Sequence, residues 1–289
     1  MPPFSLLVIF INLDPNVATI GGFTLTWHGV FSAIGVIAGV VVGVRAAAEG
    51  GAEEDGAYTL ALWSVAGGIV GARLFHVIDN WSYYARNPGQ IVLINEGGIA
   101  IWGAIVGGVL TGFLCGLVTR QKVAALADGG GLGLILGQAI GRIGDVINGE
   151  HHGVFFNAPW AVVYTNPNTL GEVGIPVHLA VGYELIWDLL VFGLLLLLKR
   201  RWVGLGVMFW LYVLLYSVGR FWISFYRVDT IVAFGLRQAQ IASVVGIVAS
   251  CLMLAKMLLI DRLRPRAELT AVADEDGGED EALEVAPSP

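Results

Sequence analysis

The chain has 289 residues, of which 56% are hydrophobic and only 13% charged, and its mean hydropathy is +0.75. Soluble domains carry about 25% charged residues, so a soluble globular fold is excluded. An all-α polytopic integral membrane protein is expected instead, because lipid accepts apolar side chains on the outside. The formal net charge of −7 misdescribes the membrane part: Glu268, Asp274, Glu275, Asp276, Glu279, Asp280, Glu281 and Glu284 supply eight negative charges, which leaves the rest near +1. Residues 267–289 are read as an acidic, disordered cytoplasmic tail, and nucleic acid is not expected as a partner.

In chain order, the segment "FSLLVIFI" is too short to span and is read as interfacial, within an external N-terminal stretch over 1–23. The first basic residue is Arg45, so the positive region of a cleavable leader is absent. Apolar stretches of about 20 residues then fall at 24–46, 58–79, 98–119, 124–145, 177–198, 203–225 and 238–260, seven spans in a membrane domain over 24–266. The stretch 154–176, "VFFNAPWAVVYTNPNTLGEVGIP", is read as an external loop, because its Pro, Asn and Gly content breaks a span. Cys115 and Cys251 sit in apolar runs and read as packing residues, neither disulfide nor metal site. The many glycines, as in "GGIVGAR" and "GGGLGLILGQAIGR", read as points of close helix approach.

Lys and Arg placement gives the orientation. With the N-terminus outside, Arg45, Arg120, Lys122, Lys199, Arg200, Arg201, Lys256, Arg262, Arg264 and Arg266 lie inside, ten residues against six in or near the outer half. The expected topology is N-out and C-in. At about 1.5 Å of rise per residue, Arg73, Arg142, Arg220, His28, Trp102, His178, Glu184 and Gln240 then all fall in the outer half of the bilayer. Each has a plain structural role available, such as snorkelling, an ion pair between helices or a helix start. Three arginines from three helices would nevertheless repel one another without an anion between them. A phospholipid headgroup is the anion expected there, since the guanidinium fork suits phosphate oxygens and stays charged when desolvated. The densest polar stretch is "GRIGDVINGEHHG", residues 141 to 153.

That stretch resembles the signature of prolipoprotein diacylglyceryl transferases, with Arg142, Gly144, Asn148, Glu150 and Gly153 matching and Asp145 standing where the family usually has Asn. "GARLFHV" resembles the segment that gives Arg73. "HLAVGYE" resembles the one that gives His178, Tyr183 and Glu184. "GRFWISFYR" resembles the one that gives Arg220 and Arg227, and "GLRQAQ" the one that gives Gln240. The resemblance covers about residues 20 to 260. It departs at "GGIAIWGAIVGG", where Trp102 replaces the family's histidine, at "TWHGV", where His28 replaces the usual Tyr, and at Ser224, where a Glu is usual.

The resemblance implies seven helices, N-out and C-in, at the outer face of the bacterial inner membrane. It implies transfer of the diacylglyceryl group of phosphatidylglycerol to the lipobox cysteine of prolipoproteins, with release of glycerol phosphate. The nucleophile is the substrate's thiol, so the chain needs no catalytic cysteine. No cofactor or metal is expected. Arg142, Arg220, Glu150 and His28 are expected to be catalytic, with the two arginines on the phosphate. Arg73, Asp145, Asn148, Gly153, Trp102, His178, Tyr183, Glu184, Arg227 and Gln240 are expected to bind substrate. Because Trp102 removes the family's histidine, the proton acceptor is open among His28, Glu150 and His178, with the arginine field alone, lowering the thiol's ionisation, as the other alternative. Two other readings compete: a lipid-binding relative without catalysis, and an anion transporter.

Overall fold

A computed structural model describes residues 8–21, 23–93, 97–199 and 205–257. The expected acidic tail lies outside the described residues. Among the described residues, seven helices are long and apolar enough to cross a membrane. They are α1 (Trp27–Glu49), α2 (Glu54–Asp79), α4 (Ile101–Val118), α5 (Val123–Asn148), α6 (Ala180–Lys199), α7 (Val207–Ile223, continued by a 3-10 turn to Tyr226) and α8 (Gln238–Lys256), with a one-turn α3 (Trp81–Tyr84) between α2 and α4. The α5 helix runs three residues beyond its expected end, so the signature up to Asn148 is helical. Gly149, at φ +77°, then stops the helix, and the Asp145 carbonyl accepts from Gly149 and Glu150.

The chain divides into two compact units. In the unit Val42–Gly130, α2 and α4 pack through glycine. A Cβ on Gly71 would lie 2.3 Å from the Gly103 carbonyl oxygen, and one on Gly107 would lie 2.3 Å from that of Gly67. Gly67 and Gly71 are four residues apart, as are Gly103 and Gly107, so each pair opens a smooth groove on one helix face. In lipid there is no hydrophobic drive between helices, and such backbone proximity supplies the dispersion contact instead.

In the other unit, α1 and α5 repeat the device. A Cβ on Gly35 would meet the Gly137 carbonyl at 2.6 Å, and one on Gly39 that of Gly133 at 2.6 Å. Three small sheets join the helices here, with strands of two to five residues. β1 (Ile9–Ile11), from the segment read as interfacial, pairs in parallel with β4 (Val162–Tyr164), inside the stretch read as a loop. β5 (Pro176–Val177) closes that sheet on the other side of β4. The remaining two sheets are hairpins: β2 (Asn16–Ile20) with β3 (Phe23–Thr26), and β6 (Ile231–Ala233) with β7 (Leu236–Arg237). Val162, Tyr164 and Val177 form a buried cluster beside Ile11 and Leu179. The Tyr164 hydroxyl donates to the Val146 carbonyl on α5 at 2.9 Å, and burial pushes its ionisation up to about 12. The sheet is thereby tied to the end of the signature helix.

Candidate active site

Glu184, on the first turns of α6, is 3% exposed and is the centre of the polar cluster. Its Oε2 faces Nη2 of Arg142 at 2.8 Å, and its Oε1 accepts from Nη1 of Arg220 and from Nη1 of Arg227, the last at 3.2 Å. Three guanidiniums from α5, from α7 and from the turn after α7 thus share one carboxylate. Arg142 also donates to Oδ2 of Asp145 at 2.8 Å, one turn along α5, and Nε of Arg227 donates to Asp229 at 3.2 Å.

The anion set among these three arginines is a side chain of the chain itself, and two of them, Arg142 and Arg220, are arginines the sequence singled out. Arg73 belongs to the unit Val42–Gly130. Its Nε donates to the Ile91 carbonyl at 2.8 Å, Nη2 to Gln90 at 2.6 Å, and Nη1 to Gly97 and Gly98 at 2.7 and 2.8 Å. Four of its five N–H groups are therefore spent on holding the backbone before α4. Trp102, in the same unit, is at the start of α4 and is 38% exposed.

Glycines bring the rest of the signature together. A Cβ on Gly144 would stand 2.6 Å from the Cα of His28 and 2.8 Å from the Trp27 carbonyl. Only a bare Cα lets α5 come this close to the start of α1, and the approach sets His28 Nδ1 against Oδ1 of Asp145. A Cβ on Gly153 would meet the carbonyls of His178 and Tyr226 at 2.5 and 2.7 Å. Gly153 lies between these segments, donating its N–H to the His178 carbonyl at 3.0 Å and bridging to Arg227. Asn148, fully buried, donates to Oε1 of Glu150 at 3.0 Å, and its carbonyl accepts from Thr169 and Leu170. The loop over α5 therefore satisfies a carbonyl that a helix end leaves open.

His178 stacks on Phe156 with ring centroids 3.7 Å apart, and its Nδ1 lies 3.1 Å from the Tyr183 hydroxyl. Burial lowers its ionisation below the ordinary histidine range. Gln240 is fully buried at the first turn of α8, accepting from Arg237 N–H at 3.0 Å and reaching the Phe221 carbonyl. Ser224 is equally buried and donates to the Arg220 carbonyl at 2.6 Å, finishing α7 as a helix-end residue. A cleft of about 390 Å³ opens beside the cluster, lined by Glu150, His151, His152, Leu170, Val228 and Asp229.

His28, Asp145 and Glu150 place a nitrogen and two carboxylate oxygens within 4.8 Å of one another. A cation seated there would face the Arg142 guanidinium, already 2.8 Å from Asp145. Within this trio the hydrogen bond joins His28 to Asp145, and Glu150 stands 3.8 Å from Nδ1 of His28.

A family model described as prolipoprotein diacylglyceryl transferase matches residues 15–256. The chain belongs to the prolipoprotein diacylglyceryl transferase family. It is 36% identical over 281 residues to the phosphatidylglycerol--prolipoprotein diacylglyceryl transferase of Nostoc, covering 94% of this chain and 98% of that protein. It is 36% identical to the protein so named from Clostridioides difficile, over 82% and 92% of the two chains. The like-named protein of Gloeobacter violaceus is 38% identical over 83% and 91%.

One buried acid of this prolipoprotein diacylglyceryl transferase family member escaped the sequence reading. Asp188 is 1% exposed and lies one turn along α6 from Glu184, close enough to Arg142 and Arg220 to interact with both. Its Oδ2 has no hydrogen-bond partner among the described residues. The four-residue spacing from Glu184 on an apolar helix was the signal available for it.

Proposed function

We propose that the protein transfers the diacylglyceryl group of phosphatidylglycerol to the lipobox cysteine thiol of prolipoproteins. A thioether forms and glycerol phosphate leaves. We place the reaction at the outer leaflet of the bacterial cytoplasmic membrane, with the chain N-out and C-in as its Lys and Arg placement favours.

The observation that carries this reading is the convergence of Arg142 and Arg220 on Glu184. Their side chains keep 19% and 17% exposure, against 4% for Arg227, so they are the two still open to a ligand. The buried Nε of Arg142 has no hydrogen-bond partner among the described residues. Glu184 holds the two forks in place before any lipid arrives, and a group fixed in advance stabilises developing charge without reorganising. The charge that develops in this reaction is on the departing phosphate. The names carried by the relatives support the substrate pair.

Purified protein is mixed with phosphatidylglycerol vesicles and a lipobox peptide. Glycerol phosphate release that needs the peptide's cysteine, and is lost with serine in its place, is the expected result. Phosphatidylglycerol binding without any release would overturn the proposal and make the protein a lipid-binding relative.

A further inference from the structure

Asp145 is 3% exposed and has two partners, His28 through Oδ1 and Arg142 through Oδ2. An ionised carboxylate only accepts hydrogen bonds. The proton between it and His28 therefore sits on Nδ1, and in the neutral imidazole this leaves the lone pair on Nε2. The His28 side chain keeps 42% exposure, against 4% for its partner Asp145. One buried carboxylate thus ties an accessible imidazole to an arginine assigned above to the phosphate.

We propose that His28 is the general base of this reaction, taking the cysteine thiol proton at Nε2, with Asp145 as its positioning residue. The inference rests on the transferase reading above. The thiol proton passes to Nε2, and the thiolate sulfur forms a bond to the glycerol carbon. The bond from that carbon to the phosphate oxygen breaks, its electron pair leaving with glycerol phosphate, and His28 returns its proton to that phosphate or to water. The imidazolium formed in between is stabilised by Asp145.

Other bases fit less well. Glu150 stands 3.8 Å from Nδ1 of His28 and already accepts from Asn148. A carboxylate is in any case a poor match for a thiol, whose ordinary ionisation lies about four units higher. His178 lies between Phe156 and Tyr226, at 3.7 and 4.9 Å, and its Nδ1 faces the Tyr183 hydroxyl rather than a carboxylate. The charged groups that face His28 are Asp145 and Arg142 from α5 and Glu150 from the turn after it. The two carboxylates favour the imidazolium and the guanidinium opposes it.

The test is the pH profile of cysteine-dependent glycerol phosphate release by the full-length protein. Phosphatidylglycerol binding is measured alongside. The native rate rises through one ionisation and then levels. His28→Gln retains phosphatidylglycerol binding, loses about 100- to 10,000-fold in turnover, and its remaining rate climbs with pH towards the thiol's own ionisation. Asp145→Asn keeps partial turnover but moves the midpoint of the profile to lower pH, because the imidazolium loses a countercharge. A native rate and profile in His28→Gln would overturn the base assignment alone. Absence of release by the native protein would overturn the transferase reading, and the base with it. If His28→Gln fails to bind lipid, the Asp145→Asn midpoint decides: an unmoved midpoint overturns the proposal.

Discussion

His28 and Asp145 are 117 positions apart and meet through Nδ1 and Oδ1. By the resemblance read from the sequence, each stands where the family usually has another residue. Their contact depends on a third residue, Gly144, whose missing side chain lets α5 touch the backbone of α1.

Gly144→Ala tests that dependence. The added Cβ would lie 2.6 Å from a Cα and 2.8 Å from a carbonyl oxygen, both backbone atoms that cannot rotate away. The helices must separate, at a cost of about 1–3 kcal/mol for overpacking. The expected outcome is a lower melting temperature in detergent together with reduced turnover. Unchanged melting would mean that the α1–α5 contact is looser than described.

Arg142→Ala should lower glycerol phosphate release by about 100- to 1000-fold, the usual loss when one preorganised donor to a developing charge is removed. Arg142→Lys should recover little of it, because an ammonium lacks the planar fork that reaches Asp145 and Glu184 together. Turnover near the native value in either variant removes the phosphate assignment.

Glu184→Gln leaves three guanidiniums around a neutral amide. Breaking a buried ion pair by removing one partner costs about 3–5 kcal/mol. The variant is expected to melt well below the native protein, and added anionic lipid should restore part of the loss by supplying the missing charge. A melting temperature equal to the native one would show that the arginines do not depend on Glu184.

His178 supplies a pH prediction. Its ionisation is lowered by burial, outside the membrane spans. Between its folded value and the ordinary value near 6.5, the unfolded chain binds the extra proton and the folded chain does not. Stability therefore rises with pH across that window and is lost as pH falls below about 6.5. Melting temperatures measured from pH 7.5 to 5.5 should decline, and the decline should be shallower in His178→Gln. Equal slopes for the two proteins would place the linked proton elsewhere.

Composition and hydropathy were enough for the membrane class and for seven spans, because burying apolar surface in lipid is a property of each segment by itself. The signature "GRIGDVINGEHHG" was enough to mark where chemistry concentrates, since charge is costly in such surroundings and stands out along the chain. It was not enough to say what each charge touches. Arg73 and Arg142 look alike as arginines in apolar helices, yet one is spent on four backbone carbonyls and the other on two carboxylates. The strand Ile9–Ile11 was invisible too, because its partner lies at Val162–Tyr164. Period and composition are local and can be read along the chain. Pairing is decided only when distant segments pack, and here that packing turns on a few glycines, Gly144 and Gly153 above all, whose lack of a Cβ sets which polar groups come within bonding distance.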